Sequence, residues 1–227
     1  MSARVNEAVI VDVVRTPSGR GKAGGALSSV HPVDLGAGVL RALLERNGLE
    51  SRQIDDVLLG CVSQVAEQSM NIARQVVLAA GFDEAVPATT IDRQCGSSQQ
   101  AVHFAAQGVI AGAYDIVIAG GVESMSRVPL GSSGRGALTA DGIRSRYPEG
   151  LVNQGVSAEL IAQRWDLSRG VLDAYSAQSH ARAARAADAG WFDSGLVPVV
   201  TETGTVTRDE TIRPATTVES LSQLAPA

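Results

Sequence analysis

Short β-branched runs that alternate with stretches of helical periodicity constrain this chain most. Apolar runs at residues 7–15, 54–62, 88–91 and 115–119 are separated by segments in which apolar residues recur at helical spacing. Runs that are apolar almost throughout belong to strands buried on both faces, so a βαβαβαβ order predicts a largely parallel sheet covered by helices. The first run, AVIVDVV, stops at Thr16-Pro17-Ser18-Gly19 and predicts a buried first strand. Residues 32–47 put Val33, Leu35, Val39, Leu40, Leu43 and Leu44 on one helical face, and Asn47-Gly48 ends that helix. Further helices are expected over residues 71–80 and 96–112, and the fourth strand closes on Gly120-Gly121. The glycine-rich stretch 20–30 has neither P-loop nor G-x-G-x-x-G spacing and reads as a surface loop.

After Gly121 the texture changes, and residues 123–155 are rich in glycine, serine and arginine. Helices are expected over 157–165 and 168–189, the latter with Ser168 as N-cap and Gly190 as stop, followed by a strand at 197–201 and a short helix at 218–224. The net charge of -5, without long like-charged runs, gives no footprint for nucleic acid. No apolar run approaches the roughly 20 residues of a membrane span, and the amino-terminal residues lack the pattern of a secretory signal. Two cysteines do not make a disulfide scaffold, so a reduced cytoplasmic setting is the expectation.

Cys95 falls where the third strand gives way to a helix. Unpaired amide N–H groups and the positive end of the helix dipole favour a thiolate there. Such a thiolate could be a nucleophile, a metal ligand, a redox centre or a buried thiol. No second cysteine stands at C-x-x-C distance, which demotes the metal and dithiol readings. His103 lies eight residues along the helix, roughly 12 Å of rise, and so reads as a surface or packing residue rather than a base. The nucleophile elbow of hydrolases wants glycines two residues either side, where Cys95 has Arg93 and Ser97. Cys61 sits inside a strand with no activating neighbour in sequence and reads as a core residue.

The segment DRQCGSSQQA followed by IVIAGGVESMSRVP resembles the nucleophile segment of the thiolase family, in its degradative branch. VIVDVVRTPSG, NIARQVVLAAG, SAELIAQRWDLSRGVLDAYSAQSHARAARAADAGWFDSGLVPV and DETIRPATTVESLSQLAPA resemble thiolase segments in the same order. The wording around Cys95 departs from the commoner C-S-S-G or C-A-S-G and resembles actinobacterial thiolases linked to sterol side-chain degradation. The resemblance implies an α/β fold: a thiolase-like N-terminal half, with a mostly parallel sheet, helices on both faces and an inserted helix-rich loop domain. Residues 1–122 would be the core, and residues 123–227 the loop domain that cradles coenzyme A.

By resemblance, Cys95 is the catalytic residue, taking the acyl group of a 3-ketoacyl-CoA, or of acetyl-CoA in the condensing direction, as a thioester. Gln154, in Asn153-Gln154-Gly155 where many relatives carry His-Met-Gly, is a candidate for lining the acyl and coenzyme A pocket. His180 matches a helix position that can lie near the coenzyme, and Arg182 and Arg185 could offer charge to its phosphates. Coenzyme A and acyl-CoA enter as substrates; no metal and no permanently bound cofactor is expected. The resemblance also implies a homodimer or homotetramer in the complete protein, and a role in fatty acid or sterol β-oxidation. The family's Asn-Glu-Ala-Phe segment, Gly-His-Pro histidine and second cysteine, with the C-terminal domain that holds them, are not found in these residues. The chain alone is therefore expected to be inactive, with an uncovered apolar sheet face. Two functions follow as expectations: an acetyl-CoA C-acyltransferase that needs its C-terminal half, or a non-catalytic acyl-CoA-binding or assembly subunit.

Overall fold

The structure, a computed structural model, describes residues 7–134 and 138–226. It divides into two compact units: the described residues up to 134 together with 195–210, and the described residues of 136–194 and 211–227.

The first unit is of the α/β class. Helix α1, Pro32–Asn47, starts where His31 Nδ1 accepts the Val33 N–H at 3.2 Å, and it buries Pro32, Val33, Ala37 and Leu40. Strand β1, Asp56–Gly60, is followed by helix α2, Ile72–Ala79, strand β2, Ala88–Ile91, helix α3, Ser97–Ile110, and strand β3, Val117–Gly121. The strands form one parallel sheet in the order β2-β1-β3. Val57, Leu58 and Leu59 of the central strand are all buried. Side chains alternate across a strand, and the packing follows that alternation. Val57, Leu59 and Cys61 join Val33 and Leu40 of α1 and Ile72, Val76 and Val77 of α2. Leu58 instead meets Ala101 and Ala105 of α3. Each large side chain so buried contributes about 1.5–3 kcal/mol. The sheet thus has helices on both faces. Neither face of the sheet is bare, and on the outside of α3 Val102, Phe104 and Ile110 are exposed.

The predicted first strand is corrected by the structure. Val9, Ile10, Val11 and Val13 are 68–80% exposed, and the segment's one bridge among the described residues joins Arg15, in parallel, to Leu196. A strand is stabilised by neighbours on both its edges and faces, and among the described residues no adjacent strand supplies them here. What holds the segment is Asp12, whose carboxylate takes Arg46 Nε at 2.8 Å and Asn47 Nδ2 at 3.0 Å at the end of α1. The loop that follows is pinned by residues far along the chain. Asp209 receives Arg15 in a two-pronged pair at 2.6 and 2.8 Å and the Ser18 N–H at 2.7 Å. Glu210 Oε2 takes the N–H groups of Arg20 and Ala26, both at 2.8 Å.

Strands β4, Val199–Thr201, and β5, Gly204–Val206, form an antiparallel hairpin in the first unit, where one longer strand was expected. The second unit holds α4, Asp141–Arg146, α5, Gln154–Arg164, α6, Arg169–Asp188, and α7, Val218–Ser222. Helix α5 begins three residues earlier than its apolar periodicity implies, because Asn153 Oδ1 accepts the Gly155 N–H at 2.9 Å and caps it. Helices α6 and α7 are joined by Arg169, which pairs with Asp173 and donates to the Leu221 and Leu224 carbonyls. Among the described residues no helix is long and apolar enough to cross a membrane.

Candidate active site

The turn between β2 and α3 is built to present Cys95. After Ile91 the chain reverses within four residues: Asp92 Oδ1 accepts the Gln94 N–H at 2.8 Å, and Gln94 adopts a left-handed backbone with φ of +48°. A residue other than glycine in this conformation costs roughly 1–2 kcal/mol, so the turn must be held by other contacts. Ser97 holds it. Its hydroxyl donates to the Gln94 carbonyl at 2.6 Å and accepts the Arg93 N–H at 2.9 Å, while its own N–H reaches the Gln94 carbonyl at 3.0 Å. Gly96 then serves as N-cap without a side chain of its own, and α3 begins. Cys95 is exposed, one residue before that cap.

The start of α3 sits unusually close to the sheet. A Cβ on Gly60, at the end of β1, would lie 2.3 Å from the Ser98 nitrogen and 2.4 Å from the Ser97 carbonyl carbon. A Cβ on Gly121, at the end of β3, would lie 2.9 Å from both Ser98 Cβ and the Gly60 carbonyl oxygen. Only bare backbone at the ends of two neighbouring strands lets the helix enter at this depth. The thiol therefore stands at the carboxyl edge of a parallel sheet, the edge at which open α/β sheets bind ligands.

The two cysteines have opposite surroundings. Cys61 is 1% exposed, and burial, with the neighbouring Glu123 carboxylate, pushes its thiol up to about 12. It stays protonated and out of reach. Cys95 is the thiol a substrate can meet. His103 lies exposed on α3, as a surface residue would.

The other sequence-derived candidates belong to the second unit. Gln154 is the exposed first residue of α5. His180, on α6, is half-buried against Arg213: its Nδ1 accepts the Arg213 N–H at 3.2 Å, and its Nε2 is 3.2 Å from Arg213 Nη2. Arg182 and Arg185 are exposed on the same helix. Sequence reasoning missed Ser97, the close approach at Gly60 and Gly121, and Arg213. The spacing of Ser97 from Gln94 is a turn signal that was there to find; for the others the contacts are remote in sequence and leave no local trace.

The chain matches the family described as Thiolase, N-terminal domain, over residues 8–227. A steroid 3-ketoacyl-CoA thiolase of Mycobacterium tuberculosis is 43% identical over 237 residues, covering 99% of this chain and 56% of that protein. A 3-ketoacyl-CoA thiolase of Serratia proteamaculans is 43% identical over 225 residues, covering 96% of this chain and 57% of its own. Among solved structures, the acetyl-CoA acetyltransferase of Bacillus anthracis matches with a TM-score of 0.82 at 32% identity, over 98% of this chain and 59% of the other. The chain thus spans a little more than half the length of the curated relatives it matches.

Proposed function

Because this chain belongs to the thiolase family, matching its N-terminal domain, we propose that it supplies the acyl-accepting cysteine of an acyl-CoA acyltransferase. The observation that carries this reading is an exposed Cys95 held by a left-handed Gln94 at the start of α3, while the second thiol is buried. In the cleaving direction the Cys95 thiolate adds to the C3 carbonyl of a 3-ketoacyl-CoA. The C2–C3 bond breaks, its electron pair leaves on C2 as the acetyl-CoA enolate, and a proton from a general acid completes acetyl-CoA. The shortened acyl group stays on Cys95 as an activated thioester. Coenzyme A then gives its thiol proton to a base and attacks that thioester, and Cys95 leaves as the thiolate. Dividing the reaction into two acyl transfers replaces one difficult step with two easier ones. The Cys95 N–H, next to the helix start, would serve as one donor to the tetrahedral oxyanion. The acid and base come, by family resemblance, from the C-terminal domain of the longer relatives.

Residues 123–227 would cradle coenzyme A, with Gln154 at the acyl end and His180, steadied by Arg213, near the coenzyme. The names of the relatives point to a 3-ketoacyl-CoA, in one case a steroid 3-ketoacyl-CoA, as substrate. A cytoplasmic, homo-oligomeric enzyme without a resident cofactor is the assembly this reading implies. With the C-terminal half of a relative supplied, acetyl-CoA or a 3-ketoacyl-CoA should add one acyl group, seen in the intact mass and mapped to Cys95, and Cys95→Ala should abolish it. Calorimetric binding of coenzyme A with no adduct, even after the C-terminal half of a relative is supplied, would favour the non-catalytic acyl-CoA-binding or assembly subunit.

A further inference from the structure

The strand ends that receive α3 carry a polar cluster that acyl transfer does not use. Gln68 is completely buried, with its Nε2 donating to the Glu123 carboxylate at 2.6 Å and the Ser63 carbonyl at 2.9 Å, and its Oε1 accepting the Ser124 N–H at 2.7 Å. Glu123 Oε2 takes the Val62 N–H at 2.8 Å, and Oε1 takes the Ser63 N–H at 3.3 Å. These two side chains join the segment leaving β1 to the segment leaving β3. Between those segments the Val122 N–H reaches the Gly60 carbonyl at 3.0 Å, so the two strands run on together to the place where Ser97 and Ser98 dock. A buried amide wedged between a carboxylate and main-chain groups has one arrangement that satisfies it, and loss of one member leaves the others unpaired.

We propose that Gln68 and Glu123 are a positioning pair for Cys95: by fixing the ends of β1 and β3 they set the depth and direction at which α3 starts. The proposal rests on Cys95 being the nucleophile, and it assigns neither residue to contact with substrate. An internal control exists at the opposite end of the same strands. There Asp55 Oδ2 accepts the Asp115 and Ile116 N–H groups at 2.6 and 3.0 Å, joining β1 to β3 away from the start of α3. A merely stabilising role would make both ends of the strand pair equivalent.

The test compares Glu123→Gln, Gln68→Met and Asp55→Asn in the full chain, reading iodoacetamide alkylation of Cys95 by peptide mass across pH, with thermal melting alongside. Glu123→Gln and Gln68→Met should slow Cys95 alkylation about tenfold at neutral pH, because the thiolate is the form that reacts and the start of α3 favours it. Asp55→Asn should lower the melting temperature while leaving the Cys95 rate within about twofold of wild type. The proposal is overturned by unchanged Cys95 rates in both variants, by faster alkylation as removal of a negative charge alone would give, or by equal slowing by Asp55→Asn. A variant in which Cys61 also becomes reactive has lost its fold rather than its placement, and that too counts against a positioning role. Acyl adduct formation on the wild-type chain supplied with the C-terminal half of a relative, run in parallel, separates the two readings. Slowed alkylation in the variants with no wild-type adduct defeats the acyltransferase alone, and an adduct with unchanged alkylation defeats the positioning pair alone.

Discussion

Gly60→Ala should dislodge the start of α3. The added methyl would stand 2.3 Å from the Ser98 nitrogen and 2.4 Å from the Ser97 carbonyl carbon, where ordinary contact begins near 3.4 Å. Both atoms are backbone of the helix's first turn, so no side chain can rotate away, and the helix start must recede by about 1 Å, a displacement able to cost on the order of 100-fold in a catalytic rate. Overpacking of this kind destabilises by about 1–3 kcal/mol. Gly38→Ala is the matched control: it lies inside α1, nothing stands within 4 Å of the position its Cβ would take, and replacing a helical glycine by alanine stabilises by about 0.5–1 kcal/mol. Urea denaturation measures the two stabilities, and the rate of Cys95 alkylation measures the displacement. If Gly60→Ala keeps both wild-type stability and wild-type reactivity, close approach at Gly60 is not what places the cysteine.

Three further outcomes are expected. Ser97→Ala removes the hydroxyl that joins Arg93 and Gln94 and should cost about 1–2 kcal/mol in thermal or urea unfolding; an unchanged unfolding midpoint would mean that the turn is held by its backbone bonds alone. A thiol reagent should label Cys95 in the folded chain and both cysteines in denaturant, and labelling of Cys61 at a comparable rate in the folded chain would contradict its burial. The Arg46 guanidinium lowers the Asp12 carboxyl from 3.8 to about 2, so its contribution is complete above the ordinary value and fades as pH falls toward about 2. Melting temperature against pH should therefore be flatter for Asp12→Asn over that acid range, and an identical acid limb in the variant would disprove the contribution.

Where local chemistry determines structure, the sequence was informative. β2 occupies the four residues its β-branched content marks, α1 runs between the bounds set by Pro32 and the Asn47-Gly48 stop, and Cys95 stands beside a helix start because glycine and serines follow it. Where structure depends on remote partners, the same reading failed. The AVIVDVV run has the composition of a strand, but β propensity reports how well a side chain fits a half-buried pleated surface, and here that surface is not supplied. The hairpin of β4 and β5 turns on Glu202-Thr203, which lacks the Asn-Gly or Asp-Gly pair of the commonest tight turns, and its one glycine, Gly204, stands just after the turn with φ of +134°. Gly60 reads as part of the 54–62 strand and Gly121 as a strand end, and nothing local distinguishes either from a glycine that admits a helix. Gln68 and Glu123 stand 55 positions apart in sequence, so their pairing becomes visible only once β1 and β3 lie side by side.

The clamp made by Asp209 and Glu210 also imposes an order of events during synthesis. Ser18 must wait for a carboxylate 191 positions later in the chain, and Arg20 and Ala26 for one 190 and 184 positions later. At ordinary translation speeds that delay is roughly 10–40 s. Through this interval the early loop has no acidic anchor while the apolar run from Val9 to Val13 is already outside the ribosome. The sheet of β1, β2 and β3 can assemble in that time from its own contacts, but the loop at its margin cannot close. A nascent chain halted before Asp209 would carry the β-branched segment, which stays exposed in the finished fold as well, beside a loosely tethered loop, a natural target for holding chaperones and proteases.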